Sequence, residues 1–230
     1  SRVDDNSATS MGGNVAMYVR TQLSGISIGN GISRYGGGIA KIWDGCKTGD
    51  CSSVVADVTV RNNRAEIDGG GIYCAKTTKI IVSNSTILQN IATKKGGGIM
   101  LESQTITNMS TVRIAENVAG VGGGIALITN ETAVLVAEKD TVTIEHNLGN
   151  TKGGGLYLHQ GTGTRDLDWG SGRILITNVH IKLNTAKEDG GGLFVSTDVT
   201  IRDDPEILQF DNTIELSGIK VFNNSADRDG

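Results

Sequence analysis

Two short acidic stretches carry the side chains that are best suited to catalysis in this sequence. The carboxylates are Asp166 and Asp168 in the first stretch, and Asp203, Asp204 and Glu206 in the second. Glycoside hydrolysis needs two carboxylates about 5–9.5 Å apart across a groove. The three histidines, His146, His159 and His180, have no partner at a meaningful spacing. We therefore interpret both stretches as solvated turns, predict no catalytic residue and do not expect an enzyme.

The same acidic stretches are the candidates for a bound cofactor. Oxygen-rich clusters suit Ca²⁺, so calcium is the one cofactor left open there. The Gly-Gly-Gly-Ile phrase that recurs in this chain does not supply the Gly-Gly-x-Gly-x-Asp pattern of calcium-binding repeats. Zinc is not expected, because cysteine and histidine residues are not paired. We therefore predict no cofactor and no metal-ligating residue.

Two cysteines and two tryptophans suggest chemistry of another kind. Cys46 and Cys51 close a short loop, so a disulfide there would imply an oxidising compartment, and two free thiols are the alternative. Trp43 and Trp169 each lie next to an aspartate in a chain that is 4% aromatic. Their rings could stack on a sugar or anchor a protein partner. The other interpretation is that each ring holds its own loop against the fold.

Charge and hydropathy exclude two classes of function. The formal net charge is -4 with both signs interspersed, so there is no basic stripe for nucleic acid. No apolar run reaches the length of about 18 residues that a transmembrane helix needs. Glycine is frequent, with 33 residues against one proline, and its clusters do not fit the collagen pattern.

A phrase built on one asparagine and a glycine cluster recurs eight times. The aligned asparagines are Asn6, Asn30, Asn63, Asn90, Asn117, Asn147, Asn184 and Asn224. A glycine follows six residues later in every copy except that of Asn117, which is one residue shorter. An aliphatic residue lies three positions before the asparagine in every copy except that of Asn30, where Ser27 lies. Such self-similarity indicates a repeat protein.

The segments that lead to each asparagine predict β-strands. They alternate apolar and polar residues and are rich in β-branched side chains, as in "ADVTVRNN" and "DTVTIEHN". A glycine inside a helix costs roughly 1 kcal/mol, so a triplet disfavours helices. Short strands that return to the same point once per repeat describe a coil of a parallel β-helix. The sequence therefore predicts an all-β solenoid of about eight coils, forming a single domain over residues 1–230.

The glycines and asparagines are expected to form the corners of each coil. Glycine accepts positive φ and close backbone approach, while asparagine can bond the turn and stack on the asparagines above and below. The repeats differ in length, so the excess predicts insertions at about 40–56, 159–172 and 196–213. Both ends cut through a repeat, so we expect a fragment of a longer solenoid, truncated at each end.

These motifs resemble the repeats of the polymorphic outer-membrane proteins, known from chlamydial autotransporters. That family repeats Phe-x-x-Asn and Gly-Gly-Ala-Ile, and this chain has "ILQN", "IAEN" and "IEHN" with "GGGI" or "GGGL". The resemblance covers essentially the whole chain, with aliphatic residues in place of phenylalanine and glycine in place of alanine. It implies a right-handed parallel β-helix of the pectin-lyase-like type, exported to the cell surface for adhesion or as a spacer.

Glycosylation sequons fit an exported protein. Four are present, at Asn84, Asn108, Asn130 and Asn223. We therefore expect a structural or adhesive element of an extracellular or cell-surface protein, a rigid rod with recognition in its insertions. Its partners would be other chains of a surface assembly or host and extracellular glycans. The alternative is a polysaccharide-binding or polysaccharide-cleaving β-helix like the enzymes that share this solenoid.

Overall fold

The computed structural model describes residues 1–43, 52–138, 141–161, 173–197 and 213–228 of the chain. Within these ranges the regular elements are β-strands, arranged in three sheets whose neighbouring strands run parallel. Neighbouring strands of a sheet come from successive coils, and crossovers between parallel strands are right-handed. The expected all-β, right-handed parallel β-helix is thus confirmed. The described ranges contain no helix with the length and apolar character to cross a membrane.

Each coil contributes strands to all three sheets, and the repeated asparagine and glycine motifs lie between them. Sheet 1 precedes the asparagine and contains Arg2–Asp4, Gln22–Ser24, Ser27–Gly29, Ser53–Ala56, Thr59–Arg61, Lys79–Leu88, Ile106–Ala115, Ala133–Ala137, Val142–Glu145, Arg173–Thr177, Val179–Lys182, Thr213–Ser217 and Lys220–Phe222. Sheet 2 lies between asparagine and glycine and contains Ile32–Tyr35, Arg64–Asp68, Ile91–Ala92, Val118–Val121, Leu148–Lys152, Thr185–Ala186 and Ser225–Ala226. Sheet 3 follows the glycines and contains Val15–Met17, Ile39–Lys41, Ile72–Cys74, Ile99–Leu101, Ile125–Thr129, Leu156–Gln160 and Leu193–Thr197.

Stacked aliphatic side chains fill the interior of the coils. Side chains alternate between the two faces of a strand, so every second residue points inward. Sheet 1 contributes one fully buried stack, consisting of Val60, Ile87, Ile114, Ile144 and Ile181. Sheet 3 contributes another, consisting of Ile39, Ile72, Ile99, Ile125 and Leu156. Each coil therefore buries its apolar surface mainly against the coils above and below, as a stacked-repeat fold requires.

The first two residues of each glycine triplet form a corner that requires glycine. In the third coil Gly69 has a φ of +69°, in the left-handed region that L side chains rarely adopt. A Cβ on Gly70 would lie 2.5 Å from the carbonyl oxygen of Gly97 in the next coil. The first glycine is therefore required by its backbone conformation and the second by the close approach of two coils.

The insertions are narrower than the sequence indicates, because strand pairing continues into their ends. Residues at the edges of the expected insertions belong to Ile39–Lys41, Ser53–Ala56, Leu156–Gln160, Leu193–Thr197 and Thr213–Ser217. Gln160, for example, is paired with both Thr129 and Thr197. The centres of the insertions, residues 44–51, 162–172 and 198–212, lie outside the described residues.

Candidate functional site

A column of asparagine side chains lies at the corner between sheets 1 and 2, and we call it the asparagine spine. Its directly bonded members are Asn63, Asn90, Asn117, Asn147, Asn184 and Asn224. At each step, Oδ1 accepts two hydrogen bonds of 2.9–3.0 Å from the preceding asparagine, one from its backbone N–H and one from its Nδ2. The five members before Asn224 are at most 1% exposed.

The second Nδ2 hydrogen of each spine residue explains the aliphatic-x-x-Asn spacing. Nδ2 of Asn90 donates to the carbonyl oxygen of Val60 at 3.0 Å, and Nδ2 of Asn117 does the same to Ile87 at 3.0 Å. The acceptor is the aliphatic residue of the preceding coil, three positions before that coil's own asparagine. Each side-chain amide thus uses both hydrogens and accepts two bonds, so the buried column leaves no amide group unsatisfied.

The third glycine of each triplet packs against the spine. A Cβ on Gly71 would lie 3.0 Å from Nδ2 of Asn90, and one on Gly98 would lie 3.1 Å from Nδ2 of Asn117. The asparagine of one coil and the third glycine of the preceding coil therefore pack against each other.

The prediction that Asn30 belongs to the spine is wrong. Gly29 is paired with Arg61, so Gly31 lies beside Asn63 and donates its backbone N–H to Oδ1 of Asn63 at 2.8 Å. Asn30 is exposed and has a φ of +52°. It is therefore equivalent to Asn62, the residue with positive φ that precedes the spine residue of the next coil. With the alignment moved by one residue, the buried aliphatic position in this coil is that of Ile28.

Asn14, which the sequence did not indicate, supplies the side-chain amide that Gly31 lacks. Its Nδ2 donates to Oδ1 of Asn63 at 3.0 Å, and its Oδ1 accepts a hydrogen bond of 2.9 Å from Asn6. Asn14 lies at the third glycine position of the first corner, because Val15 is paired with Ile39. In the contact between the first two coils, the two residue types are therefore exchanged. Asparagine occupies the glycine position of the first coil, and glycine occupies the asparagine position of the second coil.

The predicted disulfide and most of the predicted recognition residues are not tested by the structure. Cys46, Cys51 and Trp169 lie outside the described residues, as do the two acidic stretches. Trp43 is 59% exposed, and its carbonyl oxygen accepts a hydrogen bond of 2.8 Å from Nζ of Lys41. Since Lys41 is fully buried, it fixes the backbone of Trp43 while the ring remains at the surface. In the described ranges no group of three or more His, Cys, Asp or Glu residues is arranged to hold a metal ion.

The four sequons differ in exposure. Asn84, Asn108 and Asn223 are exposed, whereas Asn130 is half-buried and its Oδ1 accepts a hydrogen bond of 2.8 Å from the Ser103 hydroxyl. Asn223 precedes the spine residue Asn224 and has a φ of +54°. The residues that precede the other spine asparagines also have positive φ. Three sequons therefore present an amide at the surface, and their glycosylation stays a prediction.

An ion triad links three coils on the outer face of sheet 1. The Glu145 carboxylate lies 2.6 Å from Nε of Arg113 and 3.1 Å from Nζ of Lys182. Partial burial favours the neutral form of Glu145, but the hydrogen bonds and charges of the two cations outweigh it and lower its pKa. The carboxylate of one coil is thus paired with a cation from the coil on either side.

A polar groove crosses sheet 3, from its corner with sheet 2 to the turns that follow the sheet 3 strands, and we call it the outer groove. Its lining combines charged, amide, hydroxyl and apolar side chains: Asp68, Lys76, Lys95, Met100, Glu102, Ser103, Ile128, Thr129, Asn130 and His159, with Gly161 at one end. Both acidic stretches predicted from the sequence lie outside the described residues. The groove residues come from successive coils, so their proximity is a consequence of the fold.

One comparison with known proteins gives a match. Residues 57–75 match the Chlamydia polymorphic membrane protein repeat. The segment runs from the end of one sheet 1 strand through Asn63 and the glycine triplet to Ile72–Cys74, so the match spans one repeat with both motifs. Searches of curated proteins and of solved structures gave no significant match. The match supports the resemblance to this repeat, and nothing in the comparisons supports the pectin-lyase-like part of it.

Replacing one spine residue should destabilise the whole solenoid. Asn117→Ala removes the acceptor of two buried donors on Asn90, so we expect the free energy of unfolding to fall by about 2–4 kcal/mol. Urea denaturation followed by circular dichroism measures this change. Asn150→Ala, at an exposed position of sheet 2, is the matched control and should change stability by less than about 0.5 kcal/mol. Equal effects of the two substitutions would contradict the role of the spine.

The exchange between Asn14 and Gly31 predicts a coupled pair. Gly31→Asn alone places a side chain against Asn14 and the backbone of Gly37, since a Cβ would be 2.4 Å from Nδ2 of Asn14 and 2.1 Å from the Gly37 carbonyl oxygen, and Asn14→Gly relieves only the first of these contacts. Asn14→Gly alone removes the donor to Asn63. The double variant recreates the arrangement of Gly71 and Asn90, so it should be more stable than additivity predicts by about 0.5–3 kcal/mol. Additive losses in a urea double-mutant cycle would refute the exchange.

The ion triad predicts a pH-dependent contribution to stability. The pKa of Glu145 is lowered in the folded state, so its stabilisation is present above the ordinary value of 4.5 and is lost as pH falls through the folded pKa. Glu145→Gln should therefore lower the free energy of unfolding by about 0.5–1 kcal/mol near neutral pH and have no effect at strongly acidic pH. Urea titrations at both pH values measure this, with exposed Glu66→Gln as the control. A deficit that persists in acid would indicate lost packing instead.

Proposed function

We propose that this chain is a non-enzymatic structural and adhesive element of an extracellular or cell-surface protein or filament. The observation that supports it most is the asparagine spine, which is hydrogen-bonded from Asn63 to Asn224 and extends through Asn14 to Asn6. Because each coil is tied to the next by side-chain as well as backbone bonds, the coils form a stiff rod. The match to a membrane protein repeat of Chlamydia supports a location at the cell surface.

The positions of the insertions support recognition along one edge of the rod. Each of the three long insertions follows a strand of sheet 3 and precedes a strand of sheet 1. They therefore leave the coils at the same corner, while the spine corner and the glycine corner carry no insertion of this length. Partners would be other protein chains of a surface assembly, or glycans, and they would meet the insertions and the surfaces beside them.

An adhesion assay tests this function. Beads coated with the protein should be retained on cultured epithelial cells under flow. A variant with 162–172 and 198–212 each replaced by a short Gly-Ser turn should lose most of the retention while keeping its strand content. Glu66→Gln, on the outer face of sheet 2, is the control and should be retained like the parent. If the parent protein is not retained, or the shortened variant is retained equally, the proposal fails.

A polysaccharide-binding β-helix is the second candidate function. The outer groove favours it, because the groove offers hydrogen-bond donors, acceptors and an apolar floor. Cleavage is not part of this proposal.

A further inference from the structure

The outer groove contains a carboxylate that the fold itself does not satisfy. Asp68 is 7% exposed, and within the part of the chain that the structure describes its Oδ1 accepts no hydrogen bond. Asp189 occupies the equivalent position four coils later, immediately before its glycine triplet. There the carboxylate is bonded by Lys152 at 3.2 Å and Arg228 at 3.1 Å. The same corner position is thus fully paired in one coil and left with a free acceptor in another.

A second carboxylate is held beside Asp68. Glu102 accepts a hydrogen bond of 3.3 Å from the backbone N–H of Lys76, and its carboxylate lies near enough to the Tyr73 hydroxyl to raise the pKa of Tyr73, to which burial contributes most. Tyr73 is 4% exposed and its ring contacts that of Tyr35, with centroids 5.1 Å apart, so it gives Glu102 a rigid support. The two carboxylates are close enough for the charge of Glu102 to raise the pKa of Asp68.

The other groove residues restrict the chemistry of a ligand. Lys95 places an ammonium group in the same groove as the two carboxylates, and so does Lys76, whose Nζ is paired with the Glu131 carboxylate at 3.0 Å. These cations disfavour a free metal cation, and the carboxylates disfavour an anionic ligand. Half-buried Ile128 forms an apolar floor beside the nearly buried Met100, and Ser103 and Asn130 add a hydroxyl and an amide. A neutral saccharide fits this lining, because its hydroxyls both donate and accept while its ring face is apolar.

The ionisation of Asp68 indicates that it destabilises the fold near neutral pH. Burial raises its pKa, the charge and backbone amide of Lys95 oppose this, and Glu102 adds to it. A raised folded-state pKa means that the contribution of Asp68 to stability is full below its ordinary value of 3.8 and is lost as pH rises. A group retained at a cost to stability is typical of a binding site.

We infer that the outer groove binds a neutral oligosaccharide, with a sugar hydroxyl donating to Oδ1 of Asp68 and a ring face resting on Ile128. This inference rests on the proposed role at glycan-bearing surfaces and assigns it a site built from successive coils, with His159 and Gly161 at the end that borders residues 162–172. Asp68 and Glu102 act as acceptors, while Lys95 and the Asn130 amide act as donors.

Titration of the ¹⁵N-labelled protein with neutral tetrasaccharides of glucose, mannose and N-acetylglucosamine tests the inference by NMR. At least one of them should give saturable shifts of the Lys95, Ser103 and Asn130 amide signals. Asp68→Asn should weaken that affinity about tenfold, because a sugar hydroxyl loses a charged acceptor. The same variant should unfold at a higher temperature than the parent near neutral pH, which a purely structural role of Asp68 would not produce. Asp189→Asn is the matched control and should bind like the parent.

Three results would overturn the inference. The first is that no neutral tetrasaccharide shifts these signals at saturating concentration. The second is that tetragalacturonate or CaCl₂ shifts them more strongly than every neutral sugar. The third is that Asp68→Asn binds like the parent; should that variant not fold, Lys95→Met replaces it. If the beads adhere but no sugar binds, the groove is rejected as a sugar site and the proposed adhesive function is kept. If sugar binds but the beads do not adhere, the adhesive function is rejected and the groove is kept as a sugar site.

Discussion

The fold depends on the requirement that a buried amide must be completely hydrogen-bonded. An unsatisfied polar group in the interior costs about 1–3 kcal/mol, and the spine would contain several in every coil. The asparagine side chain meets this requirement because it has two donors and an acceptor with two lone pairs at a short, fixed reach. Aspartate lacks the donors, and glutamine would place its amide beyond the neighbouring coil's acceptor. The spine therefore selects both the residue type and the register in which the coils stack.

Other features of the repeat follow from this contact. The carbonyl oxygen that accepts the second Nδ2 hydrogen belongs to a buried aliphatic residue, so the core position and the spine are separated by a constant spacing. The glycine that faces the amide has no space for a side chain, as the 3.0 Å distance at Gly71 shows. The first junction, where Asn14 and Gly31 have exchanged sides, shows that the contact needs one amide and one glycine but not a fixed assignment of each. This is a constraint on pairs of residues, which a single repeat does not reveal.

The fold could be predicted from the sequence because its signal is repeated. Strand periodicity, glycine corners and the aliphatic spacing all recur, so errors in one coil did not affect the architecture. The error at Asn30 has a specific cause: asparagine favours both the spine and the left-handed residue before it, and the motifs of Asn62 and Asn223 place asparagine at both. In the second coil only the left-handed asparagine remains. The outer groove could not be predicted, because Asp68, Glu102 and Asn130 come from three coils and are not clustered in the sequence.

The two parts of the molecule have different physical roles. The spine amides are fully hydrogen-bonded and the core is mainly aliphatic, and together they hold the coils in register. The outer groove and the insertions carry exposed or incompletely paired groups, such as the Trp43 ring and Oδ1 of Asp68. The recognition that we propose would therefore lie on the outside of the rod, away from the spine and the core that hold the coils together.

Hydrogen exchange of the asparagine side-chain amides, followed by NMR, tests the central claim most directly. If the spine holds the solenoid, the Nδ2 protons of Asn90 and Asn117 should exchange as slowly as the best-protected backbone amides, since both require the stack to open. The exposed Asn84 and Asn108 provide the fast reference within the same sample. Spine protons that exchange at the rate of these exposed amides would contradict the account.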